Sequence, residues 1–339
     1  MSFRVRPARS DDFQAIYEMA KLTGGGFTNL PADKGALVDK LVRSERAFES
    51  DAKQPVDDLF VMVLENVETG QIRGTCQMFS RVGSEWPFYS YRISTFTQTS
   101  KALAKTFRNE ILTLCTDFDG CSEVGGLFLH PHERAGGLGM LLARSRYLFI
   151  RMHRQRFAAR VIAELRGVID EGGGSPFWDG IAGRFFGMSF QEADEFNAMH
   201  GTQFIADLMP KTPIYLSMLP ETARAVIGVP HPSGRAAMRM LEREGFVHDC
   251  YVDIFDGGPT MAAATDEIRT IREAHETDIA EIADEPAGPT ELIAAGRLKD
   301  FAACYGRVTT RDDGRIVLDS GAAASLGVKA GDKVLTVSR

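Results

Sequence analysis

The residues in this chain best suited to do chemistry form the short array Arg134-x-x-Gly137-x-Gly139. Glycines at that spacing let a backbone come close to a ligand. The apolar run from Met140 to about Arg156 that follows predicts a helix. The first turn of such a helix offers unpaired N–H groups and a positive dipole end to an anion. Before the array lie the strand-like segment Ser122–Leu129 and Pro131. Strand, proline, glycine turn with one arginine, then helix make a cradle for a pyrophosphate, so a nucleotide-like cofactor is expected. Leu142 stands where a dinucleotide fingerprint needs its third glycine. A Gly-x4-Gly-Lys-Ser/Thr phosphate loop and a Gly-x-Ser-x-Gly nucleophile turn are both absent.

Other residues offer chemistry with less pattern behind them. His231, in Pro230-His-Pro-Ser233, can give or take a proton near neutral pH. The same string also suits a surface histidine. His130 and His132 fall on one side of a strand, but Pro131 breaks the geometry and no third ligand is near, so no metal is expected and both are read as solvent-edge residues. Glu164 and Arg166 alternate on a further strand and either line a cleft or form a cross-strand ion pair. Cys76, Cys115, Cys121, Cys250 and Cys304 are scattered, with no Cys-x-x-Cys pair and no nucleophile–base arrangement.

The elements that must position these groups are those of an α/β chain. The spacing predicts a strand at 3–5, a helix capped by Ser10 and running to about Lys21, a loop over 23–31, and a helix from Asp33 to about Phe48. Apolar runs at 59–65 and 71–80 flank Asn66–Gly70 and read as a hairpin. Strands follow at 89–97, 122–129 and 160–166. Ser175-Pro-Phe-Trp178 opens a helix that ends near Met188, and Gly234–Glu244 is another before a strand at 251–255. Both end as helix, glycine beside an aromatic residue or Met, then strand, which fits either an internal duplication or a common C-cap. Residues 266–282 read as a charged helix, 284–289 as a linker, and the tail as a hairpin around Asp313-Gly314 with one more strand.

Bulk properties narrow the class. The 339 residues carry 46 Asp+Glu against 39 Lys+Arg, a formal charge of −7. Nucleic acid as the main partner is therefore not expected. No apolar run reaches membrane-spanning length and Met1–Pro7 has no signal-like core, so no membrane association and a cytoplasmic location with reduced thiols are expected.

The array between strand and helix resembles the pyrophosphate motif of the GNAT acyltransferases, which use acyl-CoA. Longer strings sharpen this. The 23–31 segment, Tyr89-Ser-Tyr-Arg92, Ala163-Glu-Leu-Arg-Gly-Val-Ile-Asp-Glu171, Ser175-Pro-Phe-Trp178, Leu208-Met-Pro-Lys-x-Pro-Ile-Tyr215, Val226-Ile-Gly-x-x-His231-Pro and Tyr251–Thr260 are similar to the arginine N-succinyltransferase family, over about residues 3–260. The resemblance implies a GNAT-like mixed sheet flanked by helices, a tandem of two GNAT-like parts, and a small C-terminal β-rich appendage. The implied parts are 1–190 for acyl-CoA binding, 191–260 as a shorter second part completing the site, 261–285 as helix and linker, and 286–339 as the β-rich tail.

The implied reaction moves succinyl from succinyl-CoA to the α-amine of L-arginine, opening a degradation of arginine to glutamate and succinate. The implied roles are cofactor contact for Leu127, pyrophosphate binding for Arg134, Gly137 and Gly139, and proton donation for His231. Arg92 and Lys211 are candidates for the succinyl carboxylate. Glu171, Asp253 and Asp256 are candidates for the guanidinium, and Glu164 and Arg166 for further substrate contacts. The alternatives are a non-catalytic subunit or sensor that binds CoA or arginine, and an acyltransferase for another amine such as ornithine. A homo-oligomer or pairing with a paralogous subunit is the expected assembly.

Overall fold

The computed structural model describes residues 2–22, 30, 33–134, 136–201 and 203–339. Apart from Leu30, the loop expected at 23–31 lies outside them. In chain order the first elements are β1 (Phe3–Pro7), α1 (Phe13–Lys21), α2 (Lys34–Glu49), β2 (Leu59–Asn66), β3 (Ile72–Phe79), β4 (Ser90–Ser100) and β5 (Lys105–Cys115). Then come β6 (Ser122–Leu129), α3 (Leu138–Met152), β7 (Arg160–Glu164), α4 (Pro176–Gly180), α5 (Gly183–Phe186), α6 (Phe190–His200), α7 (Gln203–Leu208), β8 (Ile214–Tyr215) and α8 (Glu221–Arg224). The last are α9 (Arg235–Arg243), β9 (Val247–Asp253), β10 (Pro259–Ala264), α10 (Arg269–Glu273), β11 (His275–Ala283), β12 (Thr290–Ala295), β13 (Ala302–Thr310), β14 (Ile316–Asp319), α11 (Ser320–Leu326) and β15 (Lys333–Ser338). The chain segregates into two compact units, each made of separate segments. One is Met1–Arg81, Ser122–Val161 and Ala264–Arg339; the other is Val82–Cys121 and Ile162–Ala263.

In the first unit the strand order is β12-β15-β11-β14-β13-β1-β2-β3-β6. β2 is almost wholly buried, as its run Leu-Phe-Val-Met-Val-Leu demands: both faces need cover. Leu59, Val61 and Val63 meet Ile16, Leu37 and Leu41 of α1 and α2. Phe60, on the opposite face by strand alternation, lies 5.0 Å ring to ring from Phe149 of α3. The C-terminal β-rich part is stitched into this unit. β13 pairs antiparallel with β1, Arg4 opposite Cys304.

In the second unit the order is β7-β10-β9-β4-β5-β8. Its core gathers Tyr91, Phe177, Trp178, Phe190, Val252 and Phe255. The indole N–H of the fully buried Trp178 donates to the Met188 carbonyl at 2.9 Å, satisfying its one polar atom.

Several expectations are corrected. Residues 266–282 are not one helix: after the short α10 the chain becomes β11, held parallel by β14 and antiparallel by β15. The helix from Ser175 breaks at Ile181–Ala182 into α4 and α5. Ser10 caps nothing; its N–H and hydroxyl both donate to Glu45. The last strand before residue 256 is β9, displaced N-terminally from the 251–255 expected. The spacing predicts none of β5, β8, β10, β12, α6, α7, α8 and α11.

Candidate active site

Within the first unit, β6 delivers the glycine turn. Thr75 of β3 pairs with Phe128 and Gln77 with Gly125. One β3 residue, Cys76, therefore opposes both Gly126 and Leu127, which is a β-bulge. Gly126 has φ +55°, and an added Cβ there would lie 2.7 Å from the Gln77 side chain. The Gly126 carbonyl accepts from the Thr75 hydroxyl at 3.1 Å. Leu127, half-buried, thus sits where the ladder is broken and re-aimed, a common arrangement beside active sites.

The turn that follows is anchored and open. The His130 N–H donates to the Arg73 carbonyl at 2.9 Å, and Glu133 pairs with the Arg73 guanidinium at 3.0 Å. Arg134 is exposed. Gly136 and Gly137 have φ of +68° and +81°, which L side chains adopt only with strain. The Gly137 carbonyl accepts from Leu141 N–H at 3.0 Å and so starts α3. A Cβ on Gly139 would meet only Leu129, at 3.8 Å. Packing does not demand glycine there; its missing side chain keeps the helix start clear.

Within the second unit, the structure brings His231 and Arg166 together. The His231 N–H donates to the Arg166 carbonyl at 2.7 Å. The ring Nδ1 accepts from the Ser233 N–H at 3.2 Å and lies 2.7 Å from the Ser233 hydroxyl. With Nδ1 accepting, the neutral ring carries its proton on Nε2 and presents a donor there. Partial burial, then the nearby Arg166 charge, lowers the His231 pKa below its usual 6.5. The expected NMR titration midpoint of His231 lies below 6.5, and Arg166→Gln moves it upward. An unmoved midpoint would remove Arg166 as a cause.

The remaining candidates have local tasks. The Arg166 Nε is shut off from solvent and has no hydrogen-bond partner among the described residues. Glu164 is half-buried on β7. Arg92 is exposed, 3.6 Å from Asp117, which also accepts from the Tyr251 hydroxyl at 2.7 Å. Lys211 donates to the Ala206 carbonyl and so closes the end of α7. Glu171 is exposed. His130 and His132 stack edge to face, rings 5.0 Å apart; among the described residues no metal-like cluster of His, Cys, Asp or Glu forms.

Asp253 and Asp256 are occupied by backbone amides. Asp253 accepts from Phe255 and Asp256 N–H at 2.7 and 2.8 Å. Asp256 accepts from Gly167 and Gly258 N–H at 2.7 and 2.8 Å. Burial raises the pKa of both, and the Asp253 charge adds to the effect on Asp256. The sequence offered them as guanidinium ligands; the fold uses them to pin the Gly257-Gly258 turn to the segment carrying Arg166.

A bulged strand, a cleared glycine turn and a helix start stand together in the order that the resemblance to the GNAT acyltransferases implies. Residues 3–270 match the family model described as arginine N-succinyltransferase beta subunit, and residues 275–338 match that of its C-terminal domain. An arginine N-succinyltransferase of Citrobacter koseri is 40% identical over 334 residues, 98% of this chain and 96% of the relative. One from Salmonella arizonae is 39% identical with the same coverage. A solved structure described as arginine/ornithine succinyltransferase subunit AI from Pseudomonas aeruginosa has a TM-score of 0.91 at 31% identity, covering 99% of this chain and 98% of that one. The chain belongs to the arginine N-succinyltransferase family. Among the described residues no helix is long and apolar enough to cross a membrane.

Proposed function

We propose that this protein transfers succinyl from succinyl-CoA to the α-amine of L-arginine. The observation that carries this is likeness along 98% of the chain to enzymes named for that reaction. The glycine turn supports the donor half: Arg134 and the amides of Gly137 to Gly139 hold the pyrophosphate, while the bulge at Leu127 addresses the acyl arm. The amine nitrogen, having lost a proton, attacks the thioester carbonyl. The C–N bond forms, the C–S bond breaks, and the second proton of the attacking nitrogen ends on the departing thiolate; His231, through its Nε2–H, is the donor that the resemblance implies for this sulfur. No acyl-enzyme is needed.

The test is thiol release from succinyl-CoA with arginine, compared with acetyl-CoA and with ornithine. Ornithine is included because the Pseudomonas relative is named for both amines. Product with arginine and succinyl-CoA above the other pairs is expected. No release with any amine would leave only a binding or sensing role. Arg134→Ala is expected to raise KM for succinyl-CoA about 10-fold, the worth of one charge-assisted hydrogen bond, with kcat nearly unchanged.

A further inference from the structure

We propose that Arg339 and Tyr305, both from the C-terminal β-rich part, are positioning residues that aim the amides of the glycine turn at the pyrophosphate of the acyl donor. The proposal rests on that turn holding the pyrophosphate.

The Arg339 guanidinium donates to the Gly136 carbonyl at 2.7 Å. It lies close against the turn: a Cβ on Gly137 would be 2.7 Å from its Nη2. The Tyr305 hydroxyl donates, at a longer 3.3 Å, to the Gly137 carbonyl. The two side chains also hold each other, the guanidinium 4.6 Å above the phenol ring. Two successive turn carbonyls are thus gripped by one cation–aromatic pair.

A peptide unit is planar and trans, so its carbonyl and the following N–H point in opposite directions. Pinning the Gly136 carbonyl aims the Gly137 N–H away from Arg339, and pinning the Gly137 carbonyl does the same for Leu138 N–H. These are donors that an anion at this helix start engages. The turn needs such pinning because Gly136 and Gly137, both at positive φ, are free to adopt many other backbone states. The brace has a firm base. β15, which ends one residue before Arg339, pairs with β11 and β12. Arg144 of α3 donates to the Ser338 carbonyl at 2.9 Å and to the Thr270 hydroxyl at 2.7 Å, tying the helix behind the turn to the same strand end. The anion cradle is therefore assembled from two distant stretches of chain. The C-terminal stretch contributes orientation and positive charge, neither of which the Arg-x-x-Gly-x-Gly string reveals.

The experiment compares two donors, succinyl-CoA and succinyl-pantetheine, which lacks the pyrophosphate. They are tested on the full-length protein and its Arg339→Ala, Arg339→Lys and Tyr305→Phe variants, with melting temperature recorded for each. Arg339→Ala is expected to lower kcat/KM for succinyl-CoA about 5- to 20-fold, through KM, as loss of a charged hydrogen bond to an ordered turn would. Its kcat/KM for succinyl-pantetheine and its KM for arginine should stay within about twofold. Arg339→Lys should recover part of the loss, and Tyr305→Phe should show a smaller loss of the same donor-selective kind. Equal losses for both donors, or no loss for either, would overturn the positioning role. If Arg339→Ala does not fold, the Lys and Phe variants decide by the same criterion. Arg134→Ala serves as the control for the cradle itself. A donor-selective loss there, with none at Arg339, sinks the brace and leaves the cradle standing. No donor selectivity in Arg134→Ala, and equal use of both donors by the unaltered protein, sinks both.

Discussion

His231→Ala is expected to lower kcat by about 100-fold or more, the usual worth of a positioned proton-transfer group, while both KM values and the melting temperature stay close to those of the unaltered protein. The reason for the separation is geometric. The His231 backbone N–H holds the Arg166 carbonyl, and alanine keeps that bond. The ring itself contacts Ser233 only two residues on, so its loss leaves no distant group unpaired. What disappears is the Nε2–H directed by that contact. Because the His231 pKa is lowered, the ring is neutral at pH 7 and above, and its contribution to rate should be flat there. The contribution should change only as pH drops through a midpoint below 6.5, where the added Nδ1 proton keeps the Nε2–H but removes the acceptor for Ser233 N–H that aims it. A His231→Ala variant with near-normal turnover would remove the proton-donor role, and a His231-dependent limb above pH 7 would reverse the protonation argument.

The second large effect is expected at Asp256, and it falls on stability and turnover together. Its carboxylate satisfies two buried amides, Gly167 and Gly258. Asp256→Ala leaves both without an acceptor, at a cost of about 1–3 kcal/mol each before water relieves part of it, so a loss of about 2–4 kcal/mol is expected in denaturant unfolding. The same change frees the segment whose Arg166 carbonyl holds the His231 backbone, so kcat should fall as well. Asp256 also shapes the pH dependence. Its pKa is raised by burial and by Asp253, so the folded chain binds this proton more tightly than the unfolded chain does. Stability from this group therefore declines as pH rises from the unfolded carboxylate value near 4 toward neutrality. Asp256→Asn should remove that decline. Unfolding curves at pH 4 and pH 7 check the sign; an unchanged difference between them would exclude Asp256 as its source.

Both effects show where the candidate site was legible and where it was not. β6, the turn and α3 appear in the structure almost as read, because each is signalled locally: an apolar run of strand length, glycines where φ is positive, and a helix start behind them. His231 was singled out by its surrounding string, yet its hold on the Arg166 carbonyl joins residues 65 apart in number and left no local mark. Asp253 and Asp256 looked like substrate carboxylates because residue type does not tell a ligand from a turn staple; only the amides around them do.

The misread elements follow the same division. β11 is rich in Glu and Ala, which favour helix, and it becomes a strand because β14 and β15, far along the chain, supply its hydrogen bonds. β5 is exposed and polar through most of its first half and owes its extended form to an eleven-residue pairing with β4. By itself, then, the sequence determined the glycine turn with its flanking strand and helix, and the family, since those rest on short strings whose backbone demands are met within a few residues. The tertiary structure decided the bulge beside Leu127, the neutral Nε2–H tautomer of His231 with its depressed pKa, the conversion of two acids into staples, and the Arg339–Tyr305 grip on the glycine turn. Apart from the short-range contacts of His231 with Ser233, of Asp253 with Phe255 and Asp256, and of Asp256 with Gly258, these depend on groups distant in sequence, Gly167 at Asp256 among them, and burial turns such contacts into specific distances and shifted protonation.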